Sequence, residues 1–91
     1  MKVFIYFNEP LTVARDEIED AIEVVLNDKG EVTGGGSGNL GSNIDVEVFD
    51  ESLDEVKTFA LIQSALRRFR IPKSTSIVID GTRYQMAPSN A

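Results

Sequence analysis

The chain has 91 residues, which is enough for one small domain. Its 15 acidic and 9 basic side chains give a formal net charge of −6, and it contains no histidine, cysteine or tryptophan. This composition excludes a disulfide scaffold, a cysteine-ligated zinc site, a thiol nucleophile and a histidine general base.

The first predicted element is a strand over residues 2–7. These residues are β-branched or aromatic apart from the lysine at position 2, which is typical of a strand. Alternation along a strand sends neighbouring side chains to opposite faces of the sheet. Phe4 and Tyr6 are therefore predicted to share one face, opposite the face that carries Ile5.

A helix is predicted over residues 13–29. Its apolar residues recur at spacings of three and four, and acidic residues occupy the remaining surface. Thr12 is the expected N-cap, and Gly30 is the expected left-handed C-cap.

A glycine-rich segment follows the first helix. Residues 31–33 predict a short strand, whereas residues 34–43 hold five of the seven glycines and are expected to form a loop. A phosphate-binding loop needs a lysine and a helix directly after its glycines, and here a strand follows instead. Residues 44–48 alternate strictly, which predicts a half-buried strand with Asp45 and Glu47 facing away from the core.

The second predicted helix begins after a capping box at residues 52–55, formed by Ser52 and Glu55. Arg67, Arg68 and Arg70 are expected in its last turn, where cations complement the helix dipole. Pro72 is expected to end it.

The chain closes with a predicted hairpin. Residues 77–79 predict a strand, Asp80 and Gly81 predict a two-residue turn, and residues 82–86 continue from it. The last five residues, 87–91, are expected to be a frayed tail.

This order predicts one α+β domain over residues 1–86. The arrangement is a ferredoxin-like split βαβ fold, in which both helices cover one face of an antiparallel sheet. Its element order is β-α-β-β-α-β, and the alternative adds a short fifth strand. The face under the helices is predicted to carry Val3, Ile5, Phe7, Ile44, Val46, Val48, Ile77 and Ile79.

The other face of the sheet is predicted to be open. It would display Phe4, Tyr6, Phe49 and Val78 beside Asp45 and Glu47. Aromatic rings on such a face stack on bases in RNA-recognition motifs, but two carboxylates beside the rings repel phosphates, and no nucleic-acid partner is expected. Residues 83–86, a second copy of the chain or a partner protein are the alternatives for what covers this face.

No catalytic site, metal site or cofactor is predicted. An EF-hand loop starting at Asp45 would need glycine where Asp50 stands. The acylphosphatases share the predicted topology, and an activity of their kind is the third hypothesis. However, residues 8–10 place an acid where the phosphate-binding loop of those enzymes lies.

Two segments carry a resemblance to a protein family. Residues 30–36, GEVTGGG, and residues 42–48, SNIDVEV, are similar to a group of small bacterial proteins, and residues 72–75 match their "P-x-x-T" strand start. The resemblance covers residues 30–80. Some of these proteins resemble immunity partners of polymorphic toxins. The shared motifs are structural glycines and alternating strands, so the resemblance implies a fold family, and no functional residues are carried over from it.

The charge is distributed unevenly along the chain. Residues 1–55 contain fourteen acids and three bases, a net charge of −11, and residues 56–91 contain six bases and one acid, a net charge of +5. The leading hypothesis is a non-catalytic, acidic protein-binding module, including an immunity-type inhibitor of a basic toxin. The alternative is a small-ligand-binding regulatory domain that acts as a dimer. The candidate partner-binding residues are Asp16, Glu19, Asp20, Glu23, Asp45, Glu47, Phe4, Tyr6 and Phe49.

The sequence also predicts a cellular setting. The apolar run at the start is five residues long, shorter than the core of a secretion signal. No stretch approaches the roughly 20 apolar residues of a membrane span. We therefore expect a cytoplasmic protein without a membrane partner.

Overall fold

The computed structural model describes residues 1–38 and 41–86. The predicted tail at 87–91 lies outside the described residues. Within them the chain forms five strands and two α-helices, and a 3₁₀ turn at Asn27–Lys29 follows the first helix. In chain order the elements are β1 (Lys2–Phe7), α1 (Arg15–Leu26), β2 (Gly30–Gly38), β3 (Gly41–Val48), α2 (Glu55–Leu66), β4 (Ser76–Ile79) and β5 (Thr82–Gln85).

The strands form one antiparallel sheet in the order β2-β3-β1-β4-β5. The predicted α+β class is confirmed, and β5 makes the element order longer than a strict β-α-β-β-α-β. All eight strand residues predicted to lie under the helices are at most 3% exposed. They form a single core with the buried residues of both helices, which places the two helices on the same face.

The prediction of a loop at residues 34–43 is wrong. Residues 34–38 continue β2, and β3 begins at Gly41, so the glycines pair with β3 in a long hairpin. Asn39 and Leu40, which were also assigned to that loop, lie outside the described residues. The physical reason is close backbone packing, since a Cβ at Gly35 would lie 2.5 Å from the carbonyl oxygen of Asn43.

The predicted boundaries of the first helix are also wrong. α1 begins at Arg15, and Ala14 occupies the N-cap position without a side-chain cap, so Thr12 does not cap the helix. Asn27 takes the positive φ, 56°, after the last helical residue. Gly30 is extended and starts β2, where a Cβ would lie 2.6 Å from the carbonyl oxygen of Glu47.

The cap of α2 is Asp54 rather than Ser52. The carboxylate of Asp54 accepts a hydrogen bond of 2.8 Å from the backbone N–H of Lys57. Ser52 instead donates its hydroxyl and its backbone N–H to Asp50, and these bonds lower the pKa of that carboxyl.

The predicted end of the second helix is wrong as well. α2 ends at Leu66, well before Pro72. Arg67 is the C-cap residue, and Arg68 and Arg70 lie beyond the helix rather than in its last turn. Because Arg68 and Phe69 donate their backbone N–H groups three residues back, the chain tightens into turns after the helix.

These observations predict different costs for two substitutions at the start of α2. Asp54→Ala is expected to lower the free energy of unfolding by about 1 kcal/mol, because it removes the acceptor for an N-terminal donor. Ser52→Ala, which would be the more damaging change if the capping box existed, is expected to cost less than half as much. Urea denaturation of both variants measures the difference, and the opposite ranking would contradict the observed cap.

The final hairpin is confirmed. Asp80 and Gly81 have φ values of 47° and 90°, the pair of positive φ values that a tight two-residue turn requires. Tyr84 of β5 reaches the helix side, where its ring stacks on Phe59 with centroids 5.0 Å apart. Its hydroxyl donates to Glu55 at 2.8 Å, which raises the pKa of Tyr84 because the bond favours the protonated form.

Candidate functional site

The open face of the sheet is formed by alternate residues of the five strands. Strand registers place them in rows that cross the sheet at right angles to the strands. One row contains Gly34, Asp45, Phe4, Val78 and Arg83, in the order of the strands. The next row contains Gly36, Asn43, Tyr6, Ser76 and Gln85. Each row therefore runs continuously from the β2 edge to the β5 edge.

Aromatic rings lie at the centre of this face. The rings of Phe4 and Tyr6 stack with centroids 6.5 Å apart, and Tyr6 is 36% exposed. The guanidinium of Arg83 lies over the Tyr6 ring at 5.8 Å and donates a hydrogen bond to the hydroxyl of Ser76. A cation over the face of an aromatic ring is a favourable contact, so Arg83 of β5 stabilises the position of the Tyr6 ring.

The two predicted carboxylates of β3 lie on this face. Asp45 is half-buried beside Phe4, and its carboxylate accepts a 2.9 Å hydrogen bond from the side chain of Asn43. Glu47 lies 3.7 Å from the ammonium group of Lys2. The structure therefore brings four of the predicted partner-binding residues together, namely Phe4, Tyr6, Asp45 and Glu47.

Phe49 does not belong to that cluster. It follows the last residue of β3 and is 55% exposed, and its backbone N–H donates to the carbonyl of Lys29. It lies four residues beyond Asp45, the residue paired with Phe4, which corresponds to roughly 13 Å along a strand. The parity of β3 was predicted correctly, but parity does not indicate how far along the strand a residue lies.

The four candidate carboxylates of α1 lie on a second surface. Asp16, Asp20 and Glu23 are exposed, and Glu19 is half-buried in a 3.1 Å ion pair with Arg15. Glu23 accepts a hydrogen bond of 3.2 Å from the first part of β2, at Val32. Among the ion pairs within residues 1–38 and 41–86, none involves Asp16 or Asp20.

These two groups of candidate residues do not form one site. α1 covers the face of the sheet opposite the one that displays Asp45 and Glu47, because Ile44, Val46 and Val48 point toward the helices. A flat partner that contacts the outer side of α1 cannot also reach the rings of the open face. The expectation that the carboxylates of α1 and β3 act on a single partner with the aromatics is therefore not met by the geometry.

One of the arginines after α2, Arg68, lies close to the acidic helix. A groove of about 310 Å³ is lined by Glu17 and Asp20 of α1 together with Arg68 and Phe69, and Val24 of α1 completes it with 70% of its surface exposed. Charges that are well separated along the sequence therefore share one groove, in which the arginine partly offsets the acidic side of α1.

Sequence reasoning did not identify Arg83 as part of the open face. The signal was present, because a two-residue turn at Asp80 and Gly81 fixes the pairing of β5 with β4 and sets Arg83 opposite Val78. Of the three alternatives for what covers the open face, the strand of residues 83–86 extends the sheet at its edge, and its Arg83 side chain reaches back over the Tyr6 ring.

The described part of the chain contains no group of three or more aspartate or glutamate side chains placed to hold a metal ion. No α-helix among the described residues is long and apolar enough to cross a membrane. Comparison with protein-family models, with curated proteins and with solved structures gives no significant match.

Proposed function

We propose that the protein is a non-catalytic, acidic protein-binding module that docks a basic partner against the outer surface of α1. The observation that carries the proposal is the composition of that surface. Five of the twelve residues of α1 are acidic, only Arg15 is basic, and Val24 is exposed among the carboxylates. An immunity-type inhibitor of a basic toxin is the specific form of module that we favour.

The charges and the apolar side chain have different roles in this proposal. Exposed carboxylates such as Asp16 and Asp20 attract a basic partner and raise its association rate. Val24 supplies apolar area that the partner can bury, and burial of such a side chain slows dissociation. The neighbouring Arg68 disfavours partners whose own cations would have to enter the groove beside Asp20.

Two further observations support the proposal. The 91-residue sequence contains neither histidine nor cysteine, the residues that most often serve as general bases and thiol nucleophiles. The first four strands have the order and the antiparallel directions of a ferredoxin-like split βαβ sheet, to which β5 is added. A relationship of residues 30–80 to small bacterial proteins with immunity-type members, and a cytoplasmic setting, are part of the same proposal.

A double charge reversal on α1 tests the proposed surface. Asp16→Lys combined with Asp20→Lys removes two exposed carboxylates of α1 that form no ion pair within the described residues, and it leaves the bonds of Glu19 and Glu23 in place. We expect the variant to capture at least tenfold less of a basic host protein than the unmodified chain does in a pulldown. The captured protein should elute at moderate salt, because the attraction is screened.

The matched control reverses two exposed carboxylates outside α1. Asp28→Lys combined with Glu51→Lys gives the same net charge as the test variant. We expect the control to retain the partner. Two outcomes would contradict docking on α1. If both variants capture the partner equally well, the α1 carboxylates do not contribute to binding. If both lose the partner equally, binding depends on net charge and not on the α1 surface.

A further inference from the structure

We propose that the open face of the sheet binds a second copy of the chain, related to the first by a two-fold axis that runs along the strands between β1 and β4. The face combines the exposed ring of Tyr6 and the half-buried ring of Phe4 with charged groups of both signs. The arrangement of those charges, more than their number, identifies the occupant.

The row through Phe4 has a negative charge at one side and a positive charge at the other. Asp45 lies on β3, one strand outside β1, and Arg83 lies on β5, one strand outside β4. With strands about 4.8 Å apart, the backbone positions of Asp45 and Arg83 each lie roughly 7 Å from the line midway between β1 and β4, and in the single copy the guanidinium of Arg83 reaches back over the Tyr6 ring. The centre of the row is apolar, formed by Phe4 and Val78.

A two-fold rotation about that line makes the row complementary to itself. It turns the second sheet to face the first and reverses the order of the strands while keeping each row opposite its own copy. Asp45 then faces Arg83 of the second copy, and Phe4 faces Val78 of the second copy. A two-fold axis along the row would instead set Asp45 against Asp45 and Arg83 against Arg83, which like-charge repulsion disfavours.

The neighbouring rows agree with the same axis. On one side, Lys2 of β1 lies beside Asp80, whose backbone N–H donates to the carbonyl of Lys2 at 3.0 Å. The rotation places Lys2 of one copy opposite Asp80 of the second copy. On the other side, Asn43 faces Gln85, and two amide side chains can both donate and accept. Sheets packed in aligned fashion keep their strands within about 30° of each other, so the rows stay opposed.

The interface is small and leaves the rest of the molecule free. Strands β3, β1, β4 and β5 span roughly 14 Å, so the buried area would lie at the lower end for specific interfaces, and we expect a dissociation constant in the micromolar range. Both helices lie on the outer sides of such a dimer, so the α1 surface stays exposed on each copy. The dimer is therefore independent of the proposed docking of a basic partner.

Sedimentation equilibrium with two single variants of the whole chain tests this arrangement. Asp45→Arg places two positive side chains in the row, and Arg83→Asp places two negative ones. Each variant alone is expected to dimerise at least tenfold more weakly than the unmodified chain. An equimolar mixture of the two is expected to recover the mass of a dimer, because each unfavourable pair is replaced by an ion pair, although both variants remain net negative.

The controls carry the same changes of charge on the helix side. Asp20→Arg and Lys57→Asp replace exposed residues of α1 and α2, and both are expected to dimerise like the unmodified chain. The proposal is overturned if the unmodified chain remains monomeric at about 500 μM. It is equally overturned if the single variants dimerise normally, or if their mixture remains monomeric while circular dichroism shows both to be folded.

Discussion

Gly41→Ala is expected to destabilise the protein by about 3 kcal/mol or more, because the position has neither the space nor the backbone conformation for a side chain. Its φ is +142°, a value that L-residues with a side chain rarely adopt. A Cβ built there lies 1.9 Å from the carbonyl oxygen of Phe7, so the start of β3 and the end of β1 would have to separate. Urea denaturation at constant protein concentration measures the loss as a lower transition midpoint.

A second glycine of the same hairpin provides the control. Gly38 pairs with Gly41 at the end of β2, and a Cβ added at Gly38 meets no atom of the described residues within 4 Å. Gly38→Ala is expected to change the free energy of unfolding by less than about 0.5 kcal/mol. Equal midpoints for the two alanine variants would show that β1 and β3 do not approach each other as closely as described.

The contrast between these glycines explains why the hairpin was mistaken for a loop. Local patterns treat glycine as a breaker, since it costs backbone entropy and contributes no side chain to packing. At Gly35 and Gly41 the deciding contacts are with Asn43 and with Phe7. The contact with Phe7 depends on a strand far away in the chain, and no local window contains it.

The burial of the strands was predictable for a different reason. Alternation assigns a residue to a face without reference to its partner strand, and the inward residues of β1, β3 and β4 are all buried. Phe4, Tyr6, Asp45 and Glu47 share the open face for the same reason. Where an element ends depends on pairing and on tertiary contacts, and this is why Phe49 lies apart from that cluster.

The helix boundaries show the same limit. Thr12 and Ser52 are both residues that favour the N-cap position, yet Ala14 and Asp54 occupy it. A competing acceptor decides the second case, because Asp50 takes both the hydroxyl and the backbone N–H of Ser52. The distribution of charge along the sequence likewise did not predict which charges lie close together. Arg68 lies beside Asp20 although 48 positions separate them in the sequence.

The layered arrangement gives the molecule two surfaces that can be altered separately. The carboxylates of α1 lie outside the helix layer, and the row from Asp45 to Arg83 lies on the far side of the sheet. The core of the domain separates them. In the proposed dimer, a partner on one surface and a second copy on the other would therefore bind at the same time, and the dimer would present two α1 surfaces to its partners.

Ile62→Ala is expected to lower the free energy of unfolding by about 2–5 kcal/mol, because the side chain is fully buried between α2 and the sheet. The removed atoms lose their transfer free energy and leave a cavity that close-packed neighbours fill only in part. Urea denaturation measures the effect. Since Ile62 lies on the helix side, the variant should retain the self-association proposed for the open face.

Val56→Ala is the matched control in the same helix. Val56 is an apolar residue of α2 like Ile62, but its side chain is 71% exposed. Alanine is also the better helix former, so the expected change is within about 0.5 kcal/mol. If Val56→Ala cost as much as Ile62→Ala, α2 would have to be rotated about its axis relative to the sheet, and the burial of Thr58 and Ala65 would be wrong together with it.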